Sequence, residues 1–290
     1  MKTDIKQQVR DFYDQVGWKE ASDGFYQNAH YEDLRPVSRE YIHRCHLRVQ
    51  DHLKPKGRFL LDAGSGPIQY PEYLDYSNGY QYRVCADISI VALREARKRA
   101  GEHGLYVVAD IANLPFKSGV FEGIVSLHTI HHLPAEEHRQ AYQELYRTLA
   151  PASTAVVVNG WDTSPLGSLS KALIRLVEWL YGLKQRLTGT AQLAKMGRAK
   201  GTPGAKLGEQ LPKGTFVRKH NAAWLKREVG ELMPLEIWVW RSVSVQFLRT
   251  FIHSRRGGSR LLRGLFRLEE RFPHFFGKNG VYPLVVLSKK

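Results

Sequence analysis

Apolar positions along this chain follow two rhythms. In residues 2–16, Ile5, Val9, Phe12, Tyr13 and Val16 recur at three- and four-residue intervals, which predicts an amphipathic helix. From residue 59 the rhythm changes to short unbroken apolar runs, each closed by a polar residue. Phe59-Leu60-Leu61 precedes Asp62, Val84-Cys85-Ala86 precedes Asp87, Val107-Val108-Ala109 precedes Asp110, the run 123–127 precedes His128, and the run 155–158 precedes Asn159. Such runs predict strands buried on both faces, as in a parallel sheet. Between them the helical rhythm returns over 37–53, 68–76, 89–101 and 135–149, the third bracketed by Ser89 as N-cap and Gly101 as stop. Two more strands are predicted at 235–240 and 280–287, separated by a basic amphipathic helix over 258–272. Strands alternating with helices predict an α/β architecture.

The first strand runs into Asp62-Ala63-Gly64-Ser65-Gly66-Pro67. Gly64 and Gly66 lack a Cβ, so the chain turns sharply there and a ligand can approach the main chain. In an open α/β sheet, the carboxyl end of the first strand is where a nucleotide-like ligand sits. Tight loop packing is the plainer use of such glycines. Asp87, at the end of the second strand, lies near the spacing at which a carboxylate takes a ribose diol.

Taken together, the loop from Leu61 to Gly66, Asp87-Ile88-Ser89, Ala109-Asp110-Ile111 with Leu114-Pro115-Phe116, and His131-His132-Leu133-Pro134 resemble a class I S-adenosylmethionine-dependent methyltransferase, of the small-molecule, type 11-like group. The detailed match covers roughly residues 57–160. The resemblance implies a Rossmann-like, seven-stranded, mostly parallel sheet with helices on both faces and an antiparallel last strand. It divides the chain into an N-terminal helical cap (1–56), a cofactor-binding core (57–160), a helical, basic lid insertion (161–215) and a completion of the core (216–290). It also implies S-adenosylmethionine as cofactor, with Asp62, Ala63, Gly64, Gly66, Asp87, Ile88, Asp110, Ile111 and Ser126 as its binding residues. In that scheme Asp62 faces the ammonium, Asp87 the ribose and Asp110 the adenine amino group, while Ile88 packs on the ring. Structural capping of the next turn is the alternative role for Asp110. The start of helix 68–76 would face the methionine carboxylate. Two positions depart from the family pattern: Ile68, after Pro67, stands where a third glycine is usual, and Glu122 where Asp is usual.

In the family, the segment ahead of the first strand often lines the substrate pocket, so Tyr13, Tyr26, His30 and Tyr31 are candidate substrate contacts, with packing onto the core as the plain alternative. His128 ends the fourth strand and is a candidate base for a hydroxyl acceptor, or simply a pocket-lining residue. His131 is a further candidate contact, and His132 matches a structural position. The three histidines lack the spacing and companion ligands of zinc signatures, so no metal is expected.

Composition narrows the partners. Residues 1–160 carry 19 Lys and Arg against 20 Asp and Glu, whereas residues 161–290 carry 24 against 8. The basic excess of the second half fits an anionic partner (membrane surface, nucleic acid or acidic substrate) or solubility alone. Leu166, Leu169, Leu173, Leu176, Leu180 and Leu183 predict one apolar helical stripe within the insertion, fit to cover a hydrophobic substrate, lie on a membrane or pack on the domain. Residues 194–214 read as a basic, glycine-rich mobile stretch. Two cysteines exclude a disulfide framework, and neither a signal-type start nor an apolar run of spanning length is present. A cytoplasmic enzyme, with peripheral membrane contact as an option, is the expectation. The preferred function is methyl transfer to an O, C or N atom of a small or lipid-like acceptor. The alternatives are a wobble-uridine-type tRNA methyltransferase, favoured by the His-His-Leu segment, and a non-catalytic cofactor-binding protein. Strand four lacks the Asn-Pro-Pro-Tyr type of sequence used on exocyclic base amines.

Overall fold

The computed structural model describes residues 2–19, 26–187 and 215–290. Seven strands form one sheet in the order β3-β2-β1-β4-β5-β7-β6. They are β1 (Gly57–Ala63), β2 (Tyr80–Asp87), β3 (Gly104–Val108), β4 (Phe121–Leu127), β5 (Leu149–Val158), β6 (Leu235–Arg241) and β7 (Tyr282–Lys289). Strands β1 to β5 pair in parallel, and β7 lies antiparallel between β5 and β6. This is the doubly wound arrangement that unbroken apolar runs require. Leu61, Val84, Ile124, Val157 and Val285 pack on one face, and Leu60, Cys85, Val125, Val156 and Leu284 on the other.

The helices are α1 (Lys2–Phe12), α2 (Pro36–Leu47), α3 (Glu72–Asp75), α4 (Ile90–Ala100), α5 (His138–Thr148), α6 (Pro165–Leu187), α7 (Ala222–Glu228), α8 (Val245–Phe251), α9 (Gly258–Arg271) and α10 (Pro273–Asn279). Helix α4 packs on β2 and β3, α5 on β5, and α10 on β6. Its start is fixed as the sequence predicts: Ser89 Oγ accepts the Ala92 N–H of α4 at 2.9 Å. At the other end Gly101 takes φ +56°.

One expectation fails here. The helix predicted over 68–76 shrinks to the four residues of α3. Pro67 and the left-handed Ile68 (φ +55°) carry the chain away from a helical start, so the helix that follows the glycine turn begins only at Glu72. Among the described residues no helix is long and apolar enough to cross a membrane. The stretch 194–214 lies outside the described residues.

Registry brings the strand ends to one edge. Asp62 lies opposite both Cys85 and Val125, Leu127 opposite Val158, Val158 opposite Leu284, and Arg241 opposite Tyr282. The glycine turn, Asp87, His128, Gly160, Tyr282 and Arg241 therefore share the carboxyl edge of the parallel strands.

Candidate active site

That edge opens into a cavity of about 460 Å³. From β1 outward its wall is built by Asp62 and Gly64 to Pro67, by Asp87-Ile88-Ser89, by His128, Thr129, His131 and His132, and by Gly160, Trp240, Arg241 and Tyr282. Val9, Phe12, Tyr13, Trp18 and Tyr31 contribute the N-terminal side, and Thr215, Val217 and Lys219 enter from the segment after the insertion.

The glycine turn is shaped by sterics. Gly64 has φ +76°, and a Cβ there would lie 2.1 Å from Thr129 Cγ2. Gly66 has φ +53°, and its N–H donates to Asp87 Oδ2 at 2.9 Å. The third position holds the left-handed backbone with an isoleucine instead of glycine. A β-branched residue there carries strain of about 1–3 kcal/mol. Full burial of Ile68 in the core compensates it. The departure from the family pattern thus changes the residue and keeps a conformation suited to glycine.

Asp87 lies on the cavity wall, with Oδ1 accepting the Ser89 N–H at 2.8 Å. Burial pushes its carboxyl up to about 6, against the lowering effect of its two backbone donors. A carboxylate accepts through two oxygens with about four lone-pair sites, so acceptor capacity is left for a ligand. Ile88 lines the cavity beside it.

Asp62 also reaches the wall, but its charge is already matched. Arg83, 1% exposed within β2, donates to Asp62 Oδ2 from Nε at 3.1 Å and from Nη2 as well. Asp110 lies off the wall. Its Oδ1 accepts the Ala112 N–H at 3.0 Å, and its Oδ2 accepts from Lys6 Nζ at 2.5 Å and Asn113 Nδ2 at 3.0 Å. Burial works against both charges, yet the pairing holds Lys6 above and Asp110 below their ordinary ranges. Lys6 also pairs with Glu137, so α1 is pinned across this corner. Asp110 thus makes the turn-capping contacts foreseen as its alternative role. Ala63 and Ser126 are fully buried, with Ser126 Oγ donating to the Ala63 carbonyl at 2.9 Å, and Ile111 is in the core. Ala63 and Ser126 brace the β1–β4 junction instead of lining the cavity, because a strand's inward side chain points into the packed layer, and Ile111, in the turn after β3, packs into the core.

The histidines divide by their partners. His132 Nδ1 meets the Phe216 carbonyl at 2.8 Å, and a carbonyl only accepts, so Nδ1 carries the proton. Nε2 then accepts from the Tyr13 hydroxyl at 2.8 Å. Burial lowers His132 to about 4, which keeps this tautomer neutral at pH 7. His132 is thus a clasp holding the cap, and Tyr13 stacks on Trp18 at 4.7 Å between centroids. His131 Nδ1 meets Asn159 Oδ1 at 3.0 Å, and burial takes its pKa well below the ordinary value. His128, at φ +56°, faces the cavity with its ring edge-on to Trp240 at 5.0 Å. Burial, reinforced by Arg241 and Lys219, lowers it to about 3.

Tyr13, Tyr31 and His131 therefore reach the cavity as foreseen. Tyr26 does not: it is buried behind Trp18, its ring edge-on at 6.3 Å. The side chain of His30 lies outside the described residues. The sequence reading missed Lys219, Arg241, Trp240 and Tyr282 as site residues. The one available signal was the polar closure of β6 by Arg241, matching the other strand ends.

Comparison with known proteins agrees with this geometry. Residues 61–157 match a family model described as a methyltransferase domain. The chain is 26% identical over 165 residues to the tRNA (carboxymethyluridine(34)-5-O)-methyltransferase of Arabidopsis thaliana, covering 49% of this chain and 39% of that protein. It is 32% identical over 103 residues to the malonyl-[acyl-carrier protein] O-methyltransferase of Legionella pneumophila, covering 35% and 36%. The chain thus spans little more than a third of the length of these curated relatives. Among solved structures, it superposes with a TM-score of 0.55 on the geranyl diphosphate C-methyltransferase of Streptomyces coelicolor A3(2), covering 99% of this chain and 98% of that one at 14% identity. That likeness establishes the fold.

Proposed function

From the membership of residues 61–157 in a methyltransferase-domain family carried on a class I fold, we propose that the chain is an S-adenosylmethionine-dependent methyltransferase acting on a small or lipid-like acceptor. The observation that carries this reading is the pairing of Asp87 with the Gly64–Gly66 turn at one end of a cavity that continues past β4 to β6. The residues present fit the cofactor. Gly66 leaves the space a side chain would take against the Trp18 ring, which a Cβ would approach to 3.1 Å. Asp87 retains acceptor capacity for two ribose hydroxyls.

When bound, S-adenosylmethionine supplies a methyl group activated by a positive sulfur. The chain's own task is alignment and exclusion of water. Asp87 and the glycine turn would hold the adenosyl end, with Ile88 against its ring. The Tyr13–Trp18 stack, fastened by His132, covers the site from the N-terminal side. His128 is neutral at pH 7 and accepts hydrogen bonds there, but a group near 3 is a weak base. Calorimetric titration with S-adenosylhomocysteine and S-adenosylmethionine tests the reading: one site per chain is expected, and no binding of either would overturn it. Nucleic acid is the alternative acceptor, supported by the Arabidopsis relative's name. A methyl-transfer assay with unfractionated tRNA separates it, since incorporation into tRNA and into no small acceptor would favour it.

The basic half bears on delivery of the acceptor. Helix α6 buries Ile174 against the domain yet leaves Leu169, Leu173, Leu176, Trp179, Leu180 and Leu183 exposed. Arg260, Arg263, Arg267 and Arg271 lie on α9. An apolar helical face together with a cationic surface suits an anionic bilayer. Each large apolar side chain removed from water contributes about 1.5–3 kcal/mol. Leu173→Asp with Leu176→Asp should therefore abolish co-sedimentation with phosphatidylglycerol vesicles while cofactor affinity persists; undiminished sedimentation would remove the membrane proposal.

A further inference from the structure

Resting on the methyl-transfer reading above, we propose that the acceptor presents a carboxylate to the Lys219–Arg241 end of the cavity and is methylated on a carboxylate oxygen. Strand order separates the two ends. Asp87 and the glycine turn stand at β2 and β1, whereas Gly160, Tyr282 and Arg241 stand at β5, β7 and β6, on the far side of His128.

Lys219 reaches the cavity between two backbone anchors: the Arg218 N–H donates to the His131 carbonyl at 2.7 Å, and the Asp162 N–H to the His220 carbonyl at 3.0 Å. The missing side chain of Gly160 makes room for the ammonium, since a Cβ there would lie 2.9 Å from Nζ and 3.4 Å from the Tyr282 ring. Among the described residues Lys219 makes no salt bridge, and Asp162 is the acid that acts on it from further away. Burial, with Lys171 adding to it and Asp162 opposing, lowers its pKa. Arg241, 2% exposed, gives Nη1 to Glu32 and lies over the Tyr282 ring at 4.6 Å, while its Nε is without a partner among the described residues. Glu32 offsets the guanidinium by direct contact, whereas Lys219 feels only the more distant Asp162, so Lys219 is the less compensated cation at this end. The other wall carboxylates are elsewhere: Asp62 is matched by Arg83, and Asp87 is at the opposite end.

None of the three histidines described on this wall is a competent base. His132 has both nitrogens engaged, His131 gives Nδ1 to Asn159, and His128 is suppressed to about 3. A hydroxyl or amine acceptor would have to shed a proton here. A carboxylate arrives without one. Its oxygen lone pair forms the O–CH3 bond as the S–CH3 bond breaks, with the bonding pair going to sulfur. Carboxylate and sulfonium charges cancel, leaving a methyl ester and S-adenosylhomocysteine with no proton to place. The two curated relatives are themselves named as O-methylating enzymes.

The test uses the full chain, S-adenosylmethionine labelled in the methyl group, and decanoate, 3-phenylpropionate and decanoyl phosphate as probes beside decanamide. Methyl esters of carboxylates release labelled methanol in mild alkali, which distinguishes them from C- and N-methyl products. The expected result is that the S-adenosylhomocysteine-loaded protein retains a carboxylate probe in preference to decanamide and that turnover gives alkali-labile label. Lys219→Gln should weaken carboxylate binding about tenfold or more, with recovery in Lys219→Arg and S-adenosylhomocysteine affinity kept within about twofold. Retention of decanamide as well as decanoate, preference for the phosphate, alkali-stable label, or a silent Lys219→Gln would each overturn the inference. Failure of S-adenosylhomocysteine itself to bind would instead overturn the methyl-transfer reading.

Discussion

Asp87→Asn should lower affinity for S-adenosylhomocysteine about a hundredfold, a loss of roughly 2–3 kcal/mol. The carboxylate of Asp87 is acceptor-only, and its partners at Gly66 and Ser89 are backbone donors. An asparagine supplies one accepting oxygen and turns an N–H2 group toward one of those positions, so a ribose diol loses its acceptor. Stability should change far less. Burial pushes the Asp87 carboxyl up to about 6, so the folded chain binds its proton more tightly than the unfolded chain does. The ionised group therefore weakens the fold above pH 6, and that cost is relieved as pH falls from about 6 toward its unfolded value near 4. Cofactor affinity has the opposite dependence, because the ligand needs the ionised form. It should be flat above pH 7 and fall below about 6, approaching tenfold per pH unit. Calorimetry of the mutant, and of the wild type from pH 5 to 8, checks both statements; unchanged affinity in the mutant would remove Asp87 from the site.

Asp62→Ala is expected to have the largest effect on the fold. It would leave Arg83, almost fully enclosed in β2, with the Tyr73 carbonyl and the Cys85 thiol as its partners among the described residues and no carboxylate beside it. Removing one member of a buried pair costs about 3–5 kcal/mol, since the remaining charge stays desolvated. For a domain of this size that is a fall in Tm of roughly 10 °C. Replacing both, as Asp62→Ala with Arg83→Met, should recover most of the loss, because two apolar side chains need no counter-charge. A single mutant that melts with the wild type would show that Arg83 finds another partner, and would free Asp62 for the ligand role the family resemblance assigns it.

These two acids mark the reach of sequence reading. The strands were legible because burial on both faces leaves long apolar runs, and the acids were legible because each closes such a run. Asp87 keeps its place at the cavity, and the Ser89 cap and Gly101 stop bound α4 as their chemistry requires. Asp62 and Asp110 were recognisable as strand-end acids, yet their partners come from 21 and 104 residues away. Nothing local in Arg83 or Lys6 announces those pairings. The helix after the glycine turn was over-read because Pro67 is compatible with a first helical turn, while the left-handed Ile68 depends on its tertiary burial. Ser126 sits on a strand whose end is functional, but its own side chain faces the packed layer.

The acceptor end was the least legible part. Lys219 follows a long insertion, Arg241 ends β6, and Tyr282 begins β7; only the antiparallel pairing of the last two strands brings the latter two together. A basic residue in a basic half gives no sign that it points inward. The cap was half legible: helical spacing placed Tyr13 on α1's continuation, but its bond to His132 spans 119 residues.

The most direct measurement is a crystal structure of the chain with S-adenosylhomocysteine. The ribose is expected within hydrogen-bond distance of Asp87, the adenine beside Ile88, and the sulfur directed past the glycine turn toward His128 and the Lys219 end. An adenosyl group lying elsewhere, with Asp87 bonded only to Gly66 and Ser89, would contradict the proposal at its base.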